Sequence, residues 1–212
     1  GGGGAGAGWA RRRAVGRFTF TPVDSGCGGS GMELALVLDV SGSMGGSMSA
    51  LKEFAHALID QFELGPDATR VSITKFSAGA TLVESLTTDD GDLDAAIDSL
   101  SAGGVTCISC GLDTALADMM PSPMGNARPG ASRTMMVLSD GEQTGSYGGV
   151  SAAIASAGTV RQAGVTLFAV GFAGALQSTL DSMASSPSDT YAVRAQELQA
   201  RVRCRTRPPS RV

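Results

Sequence analysis

An uninterrupted apolar run, residues 34–38, restricts the fold of this chain more than any other feature of the sequence. The run contains no polar residue and ends at Asp39, whereas a strand with one solvated face would alternate apolar and polar residues. It therefore predicts a strand buried on both faces, as in the middle of a parallel sheet. Apolar residues then recur three and four positions apart from Met48 to Phe62, which predicts a helix with one buried face.

Strands alternate with helices along the rest of the chain. Further strands are predicted at 71–76, 81–86, 134–138, 165–170 and 191–193, and further helices at 92–100, 108–120, 151–162, 176–183 and 196–202. Only a short turn at Ala78-Gly79 separates the second and third strands, so this pair must be antiparallel. We therefore expect an α/β fold: a doubly wound, mostly parallel sheet with one antiparallel edge strand and helices on both faces.

Charge is distributed unevenly along the 212 residues, whose net charge is −4. Residues 33–198 carry 7 basic and 19 acidic side chains, whereas both ends of the chain are basic. An acidic body disfavours nucleic acid as a partner, because nucleic-acid binding depends on neutralising phosphates. We interpret residues 1–32 as a disordered tail rich in Gly and Arg, 33–203 as one domain and 204–212 as a basic C-terminal tail.

Neither a membrane span nor a targeting signal is predicted. No run of 18 apolar residues occurs in the sequence, and a membrane-spanning helix needs about that length. Residues 1–16 also lack the apolar stretch of a secretory signal peptide. The localisation of the chain is therefore not fixed by its sequence.

Oxygen-bearing side chains cluster after strands that are predicted to be neighbours. Asp39, Ser41 and Ser43 follow the first strand, Asp140 follows the fourth, and Thr106 lies in a glycine-rich loop before a helix. Ligands of doubly wound sheets bind beyond the carboxyl ends of the strands. Two carboxylates and three hydroxyls, without His or Cys, form a donor set that suits a hard cation such as Mg²⁺ or Mn²⁺.

This pattern resembles the metal-ion-dependent adhesion site of von Willebrand factor A-type (vWA) domains. Asp39-x-Ser41-x-Ser43, Thr106 and Asp140 match the five positions of that site in order and approximate spacing. The resemblance implies that the first three residues lie on one loop, Thr106 on a second and Asp140 on a third. It also implies the vWA fold, with one antiparallel edge strand.

The resemblance, which covers roughly residues 33–200, carries a functional expectation as well. It implies an adhesion-type module in which the bound Mg²⁺ or Mn²⁺ coordinates an Asp or Glu side chain of a protein partner. In adhesive members ligand binding can be coupled to a shift of the last helix, here 196–202. The alternatives are a scaffold or assembly domain of a larger protein, whose metal site is structural, and a module tuned by cysteine oxidation.

Enzymatic alternatives fail on individual residues. A phosphatase of the haloacid-dehalogenase type needs Asp-x-Asp, but Ser41 stands where the second Asp would be. The serines at 41 and 43 lack the Gly-x-Ser-x-Gly pattern of hydrolases, and no phosphate-binding Gly-x-x-x-x-Gly-Lys loop occurs. The single histidine, His56, is predicted to be a solvent-exposed helix residue, which leaves no Ser-His-Asp triad. We therefore expect a protein that is not an enzyme.

Four cysteines, Cys27, Cys107, Cys110 and Cys204, are predicted to form two separate pairs rather than one zinc site. Cys107 and Cys110 adjoin Thr106, whereas the other two flank the domain and should lie near its opposite end. By the vWA resemblance, Cys27 and Cys204 are expected to form a disulfide that joins the termini, which favours an extracellular location. Cys107 and Cys110 are compatible with a redox pair, a local disulfide or two inert thiols.

Overall fold

The computed structural model describes residues 31–172, 174–186 and 192–194. The predicted N-terminal tail up to residue 30, the helix predicted at 196–202 and the C-terminal tail lie outside the described residues. The same holds for Cys27 and Cys204, so the bridge expected between them stays a prediction.

Strands and helices alternate along the described chain. The strands are β1 (Met32–Asp39), β2 (Thr69–Phe76), β3 (Ala80–Thr87), β4 (Ser132–Ser139), β5 (Thr166–Gly171) and β6 (Ala192–Arg194). The helices are α1 (Met48–Ile59), α2 (Asp90–Asp98), α3 (Ile108–Met119), α4 (Gly149–Gln162) and α5 (Gln177–Met183), with short 3₁₀ turns at Gly42–Gly46 and Gly145–Tyr147.

The described strands form one sheet in the order β3-β2-β1-β4-β5-β6. The pair β2–β3 is antiparallel and the other neighbours are parallel, which confirms the predicted fold class. Residues 33–39 of β1 are all buried, because the central strand is covered on both faces as its apolar run predicts.

The order of the strands creates a crevice at one edge of the sheet. The chain passes from β1 to β2 and β3 on one side, and then returns to place β4 on the other side of β1. The connections therefore leave the carboxyl ends of β1 and β4 in opposite directions, which is where doubly wound sheets bind their ligands. Asp39 and Ser139 are the last residues of these two strands.

Helix α3 begins at this crevice and packs closely on the sheet. A Cβ atom at Gly111 would lie 2.6 Å from the ring of Phe76 and 2.9 Å from Val37. Glycine at this position therefore lets the helix backbone approach β1 and β2 more closely than any other residue would. This packing fixes the start of α3 relative to the ends of both strands.

A buried ion-pair cluster holds the opposite end of β1. The Glu33 side chain is fully buried and accepts hydrogen bonds from Arg70 at 2.6 and 3.0 Å. It also accepts bonds from the backbone N–H and the side chain of Arg128 at 2.8 and 2.9 Å. Burial by itself would raise the pKa of Glu33, but the bonds from the two arginines outweigh it and lower the pKa below its ordinary value.

The prediction that His56 is a solvent-exposed residue is wrong. Its side chain is only 13% exposed, because it lies between two carboxylates of α2. Its Nδ1 atom is 2.5 Å from Asp94 Oδ1, and its Nε2 atom is 3.0 Å from Asp98 Oδ1. The histidine thus joins α1 to α2.

Among the described helices, none combines the length and the apolar character that a membrane crossing requires.

Candidate metal centre

Hydrogen bonds connect four of the five predicted site residues in a continuous chain. The backbone N–H of Ser41 donates to Asp39 Oδ1 at 2.8 Å. The hydroxyl oxygens of Ser41 and Ser43 are 3.1 Å apart, and Ser43 Oγ donates to Asp140 Oδ1 at 2.9 Å. Residues separated by about a hundred positions in sequence therefore meet beyond the carboxyl ends of β1 and β4.

Thr106 is brought to this crevice by backbone contacts of its loop. The N–H of Gly42 donates to the carbonyl of Gly104 at 2.9 Å, which ties the Thr106 loop to the loop after β1. On the other side, the N–H of Thr106 donates to Thr144 Oγ1 at 3.1 Å, and the N–H of Thr144 donates to the Thr106 carbonyl at 2.9 Å. The three loops thus form one hydrogen-bonded unit in which Thr106 is buried.

The two carboxylates of this cluster differ in exposure and lack a cationic partner in the described part of the chain. Asp39 is fully buried, whereas Asp140 is partly exposed. Burial raises the pKa of Asp39 above its ordinary value, and the nearby charge of Asp140 raises it further. Hydrogen bonds from Ser139 and Ser41 oppose this shift without reversing it.

The side chains present fit a hard divalent cation. A buried carboxylate beside a second carboxylate is costly unless a positive charge compensates it, and the surrounding groups are oxygen donors of the type that Mg²⁺ and Mn²⁺ prefer. Within the described residues no group of three or more His, Cys, Asp or Glu side chains could hold a metal ion. A cation at this site would therefore rely on hydroxyls as well as on Asp39 and Asp140.

Sequence reasoning missed three residues that position the site. Ser139 Oγ donates to Asp39 Oδ2 at 2.5 Å, Thr144 holds the Thr106 backbone, and Gln143 Oε1 accepts from the N–H of Ser109 at 2.7 Å. Only Ser139 had a usable signal: the final residues of two neighbouring parallel strands lie side by side. The roles of Gln143 and Thr144 depend on how their loop folds back, which no local pattern encodes.

A disulfide joins Cys107 to Cys110 directly after Thr106. Of the three alternatives for these cysteines, the structure contains the local disulfide. Cys107 is the residue that precedes α3, its N–H donates to the carbonyl of Ser77 at 2.8 Å, and its sulfur accepts from the N–H of Cys110 at 3.3 Å. The bridge therefore closes the first turn of α3 next to the candidate metal centre.

Comparison with known proteins identifies relatives for most of the chain. The family model described as von Willebrand factor type A domain matches residues 33–203. The collagen alpha-1(XX) chain of Homo sapiens is 30% identical over 161 residues, which are 74% of this chain and 12% of that protein. Integrin alpha-1 of Gallus gallus is 29% identical over 122 residues, 55% of this chain and 41% of that protein. The chain thus spans a small part of the curated relatives it matches.

Solved structures show the same fold. Proximal thread matrix protein 1 from the mussel byssus, in a structure described as having a zinc-occupied MIDAS motif, superposes with a TM-score of 0.67 at 24% identity. The superposition covers 82% of this chain and 45% of that one. A von Willebrand factor type A structure from Catenulispora acidiphila gives a TM-score of 0.61 at 19% identity over 80% of this chain and 40% of that one.

Proposed function

The chain belongs to the von Willebrand factor type A domain family, and from this premise we propose that it is a divalent-cation-dependent protein-binding module. Domains of this family typically serve as modules for adhesion and protein interaction. The relatives it matches include collagen and integrin chains. An extracellular location stays a prediction.

One observation carries the proposal: the hydrogen-bonded chain that links Asp39, Ser41, Ser43 and Asp140 at the β1–β4 crevice. We propose that these four residues and Thr106 hold Mg²⁺ or Mn²⁺. The ion, when bound, would supply a positive charge that attracts a carboxylate of the partner. Hydrogen bonds position the two carboxylates for this role. Ser139 and Ser41 donate to the two oxygens of Asp39, and Ser43 donates to Asp140.

The proposal is one of binding and not of catalysis. The only histidine of the chain, His56, is engaged by two carboxylates of α2. It is therefore committed to a helix–helix contact rather than available as a general base. The mussel structure, whose description names a zinc-occupied MIDAS motif, supports a cation site in this fold.

Calorimetric titration with Mg²⁺ tests the metal site. We expect saturable binding by the wild-type chain and a loss of affinity of about tenfold or more in Asp39→Ala, because a charged ligand is removed. Asp60→Ala is the matched control, since Asp60 is an exposed carboxylate at the end of α1. Equal Mg²⁺ binding by wild type and Asp39→Ala would refute the site.

The partner-binding step requires a separate measurement. We expect a short Gly-Ser peptide carrying one Glu to bind in Mg²⁺ and not in EDTA, and the same peptide carrying Gln to bind in neither, because only a carboxylate can coordinate the ion. Mg²⁺ binding without any preference for the Glu peptide would favour the scaffold alternative, in which the metal is structural.

The Cys107–Cys110 disulfide favours a second candidate role, in which the oxidation state of this pair tunes the module. The bridge adjoins Thr106 and sets the first turn of α3, so its reduction would free the backbone that positions one metal ligand. We expect weaker Mg²⁺ binding by the reduced chain, and no effect of reductant on a Cys107→Ser/Cys110→Ser double variant. The calorimetric titration above, repeated with and without reductant, measures this, and an unchanged wild-type affinity would discard the role.

A further inference from the structure

A second concave site lies on the flank of the domain, between β3, α3 and the loop that follows α3. This cavity is largely open to solvent and has a volume of about 600 Å³, which is enough for a long side chain and far larger than a single metal ion needs. Apolar residues of its lining include Leu82, Pro123 and Met124, and its polar lining includes Asp118 and Asn126.

Asp118 is the unusual member of this lining, because it is a buried acid with one oxygen unsatisfied. The residue is only 4% exposed. Its Oδ1 atom accepts hydrogen bonds from Ser85 Oγ at 2.7 Å and from Asn126 Nδ2 at 2.6 Å. Its Oδ2 atom is buried and has no hydrogen-bond partner in the described part of the chain. Such an oxygen costs free energy, and a positive charge nearby would offset part of that cost.

The nearby arginines bind other groups, so the described residues place no cationic side chain against Asp118. Arg70 and Arg128 both pair with Glu33, and Arg133 donates to the carbonyls of Met119 and Ala163. Asp118 also lies in the last turn of α3, where no basic residue is present and where the helix dipole is unfavourable to a negative charge.

We propose that this cavity binds a lysine or arginine side chain of a partner protein. The alkyl part of such a side chain suits the apolar wall of Leu82, Pro123 and Met124, and its charged head places a positive charge beside the carboxylate of Asp118, which the described residues leave uncompensated. Met124 is 72% exposed, so a large apolar side chain is available to the partner at the rim.

This site is independent of the candidate metal centre. The metal centre lies at the start of α3, and Asp118 lies near its end, about 15 Å away at 1.5 Å per residue. Binding of a cationic side chain here therefore does not require the proposed cation, and the two proposals are tested separately.

Nuclear magnetic resonance titration of the full ¹⁵N-labelled chain in EDTA tests the inference. The probes are blocked Gly-Gly-Arg-Gly-Gly and Gly-Gly-Lys-Gly-Gly peptides, with a citrulline peptide as the uncharged counterpart. With a cationic probe we expect saturable shifts centred on the amides of Asp118, Gly125 and Asn126. The citrulline peptide should bind at least about tenfold more weakly. Equal binding of the citrulline peptide, or no saturable shift with either cationic probe, would overturn the proposal.

Two variants of α3 separate the cavity from general acidity. Asp118→Asn removes the charge while keeping the size of the side chain, and should lower the affinity about tenfold or more. Asp113→Asn removes the same charge from an exposed position of the same helix and should leave the affinity within about twofold.

A third and a fourth variant keep the test decisive. If Asp118→Asn does not fold, Ala117→Arg introduces a long cationic side chain at an exposed position of the lining while Asp118, Ser85 and Asn126 stay unchanged, and should weaken the shifts about tenfold or more. Asp60→Ala, which removes an exposed carboxylate at the end of α1, should bind the cationic peptides as the wild type does. Undiminished binding by a folded Asp118→Asn, or by Ala117→Arg, would refute the site.

Discussion

Two buried carboxylates at opposite ends of β1 show how the surroundings of one residue decide its role. Glu33, at the start of the strand, is bonded by two arginines, and its pKa is lowered despite burial. Asp39, at the end, faces hydroxyls and another carboxylate, and its pKa is raised mainly by burial. The first charge is compensated within the protein. The second is not compensated by the described residues, which is why we propose a cation at that end.

Glu33 is expected to support the fold through its charge. Glu33→Gln should lower the free energy of unfolding by about 3 kcal/mol at neutral pH, because it leaves two arginines of a partly buried cluster without their partner. Since the folded pKa lies below the ordinary value of 4.5, the stabilisation is complete above that pH and is lost as the pH falls through the lowered pKa.

Denaturant unfolding of wild type and variant across this pH range measures the effect of Glu33. Exposed Glu63→Gln is the control and should change stability by less than about 0.5 kcal/mol. The gap between wild type and Glu33→Gln should narrow below pH 4.5. A gap that stays constant down to strongly acidic pH would contradict a stabilising role of the ionised side chain.

At the scale of elements, the seating of α3 on the sheet is expected to depend on Gly111. An alanine in a helix interior normally gains up to about 1 kcal/mol over glycine. At this position its Cβ would meet Phe76 at 2.6 Å and Val37 at 2.9 Å. We therefore expect Gly111→Ala to destabilise the protein by about 1–3 kcal/mol and to weaken Mg²⁺ binding, because α3 begins at the candidate site.

Gly158→Ala in α4 provides the matched comparison for Gly111. The nearest atom to its Cβ would be the end of the Arg161 side chain at 3.9 Å, so the ordinary gain of up to about 1 kcal/mol should appear. Thermal unfolding of both variants measures these effects: Gly111→Ala should lower the Tm, and Gly158→Ala should raise it. A stabilised Gly111→Ala would show that α3 can shift outward without cost.

The elements were largely predictable because their apolar patterns are local. The run at 34–38 and the short turn at Ala78-Gly79 were enough to predict a buried central strand and an antiparallel edge pair, and both are present. Boundaries moved by one to three residues where polar residues continue an element, as at Asp90 in α2 and Thr69 in β2.

The candidate site was predictable only in part. Its five residues follow strands or precede a helix, so topology alone places them near one edge. The position of His56 was missed because its carboxylate partners come from α2, which periodicity within α1 does not reveal. The free oxygen of Asp118 was missed for the same reason: its surroundings come from three separate segments.

At the scale of the whole molecule, a bound cation should stabilise the entire domain. A ligand that binds only the folded state at about 100 times its Kd adds about 2.7 kcal/mol, which corresponds to a rise in Tm of about 5–10 °C for a chain of this size. The three loops of the site join β1, β4 and α3, so opening any of them would release the ion. We therefore expect the rise to appear as one cooperative transition in thermal unfolding with Mg²⁺.

Asp39→Asn is expected to change both the Tm without metal and the rise in Tm that Mg²⁺ produces. Because burial raises the pKa of Asp39, ionisation of this residue lowers the stability of the metal-free fold as the pH rises from the ordinary value of 3.8 through the raised pKa. The amide has no such charge, so at neutral pH the metal-free variant should melt higher than the metal-free wild type, and Mg²⁺ should no longer raise its Tm. A variant that melts lower without metal, yet still responds to Mg²⁺ as the wild type does, would mean that the cation binds elsewhere.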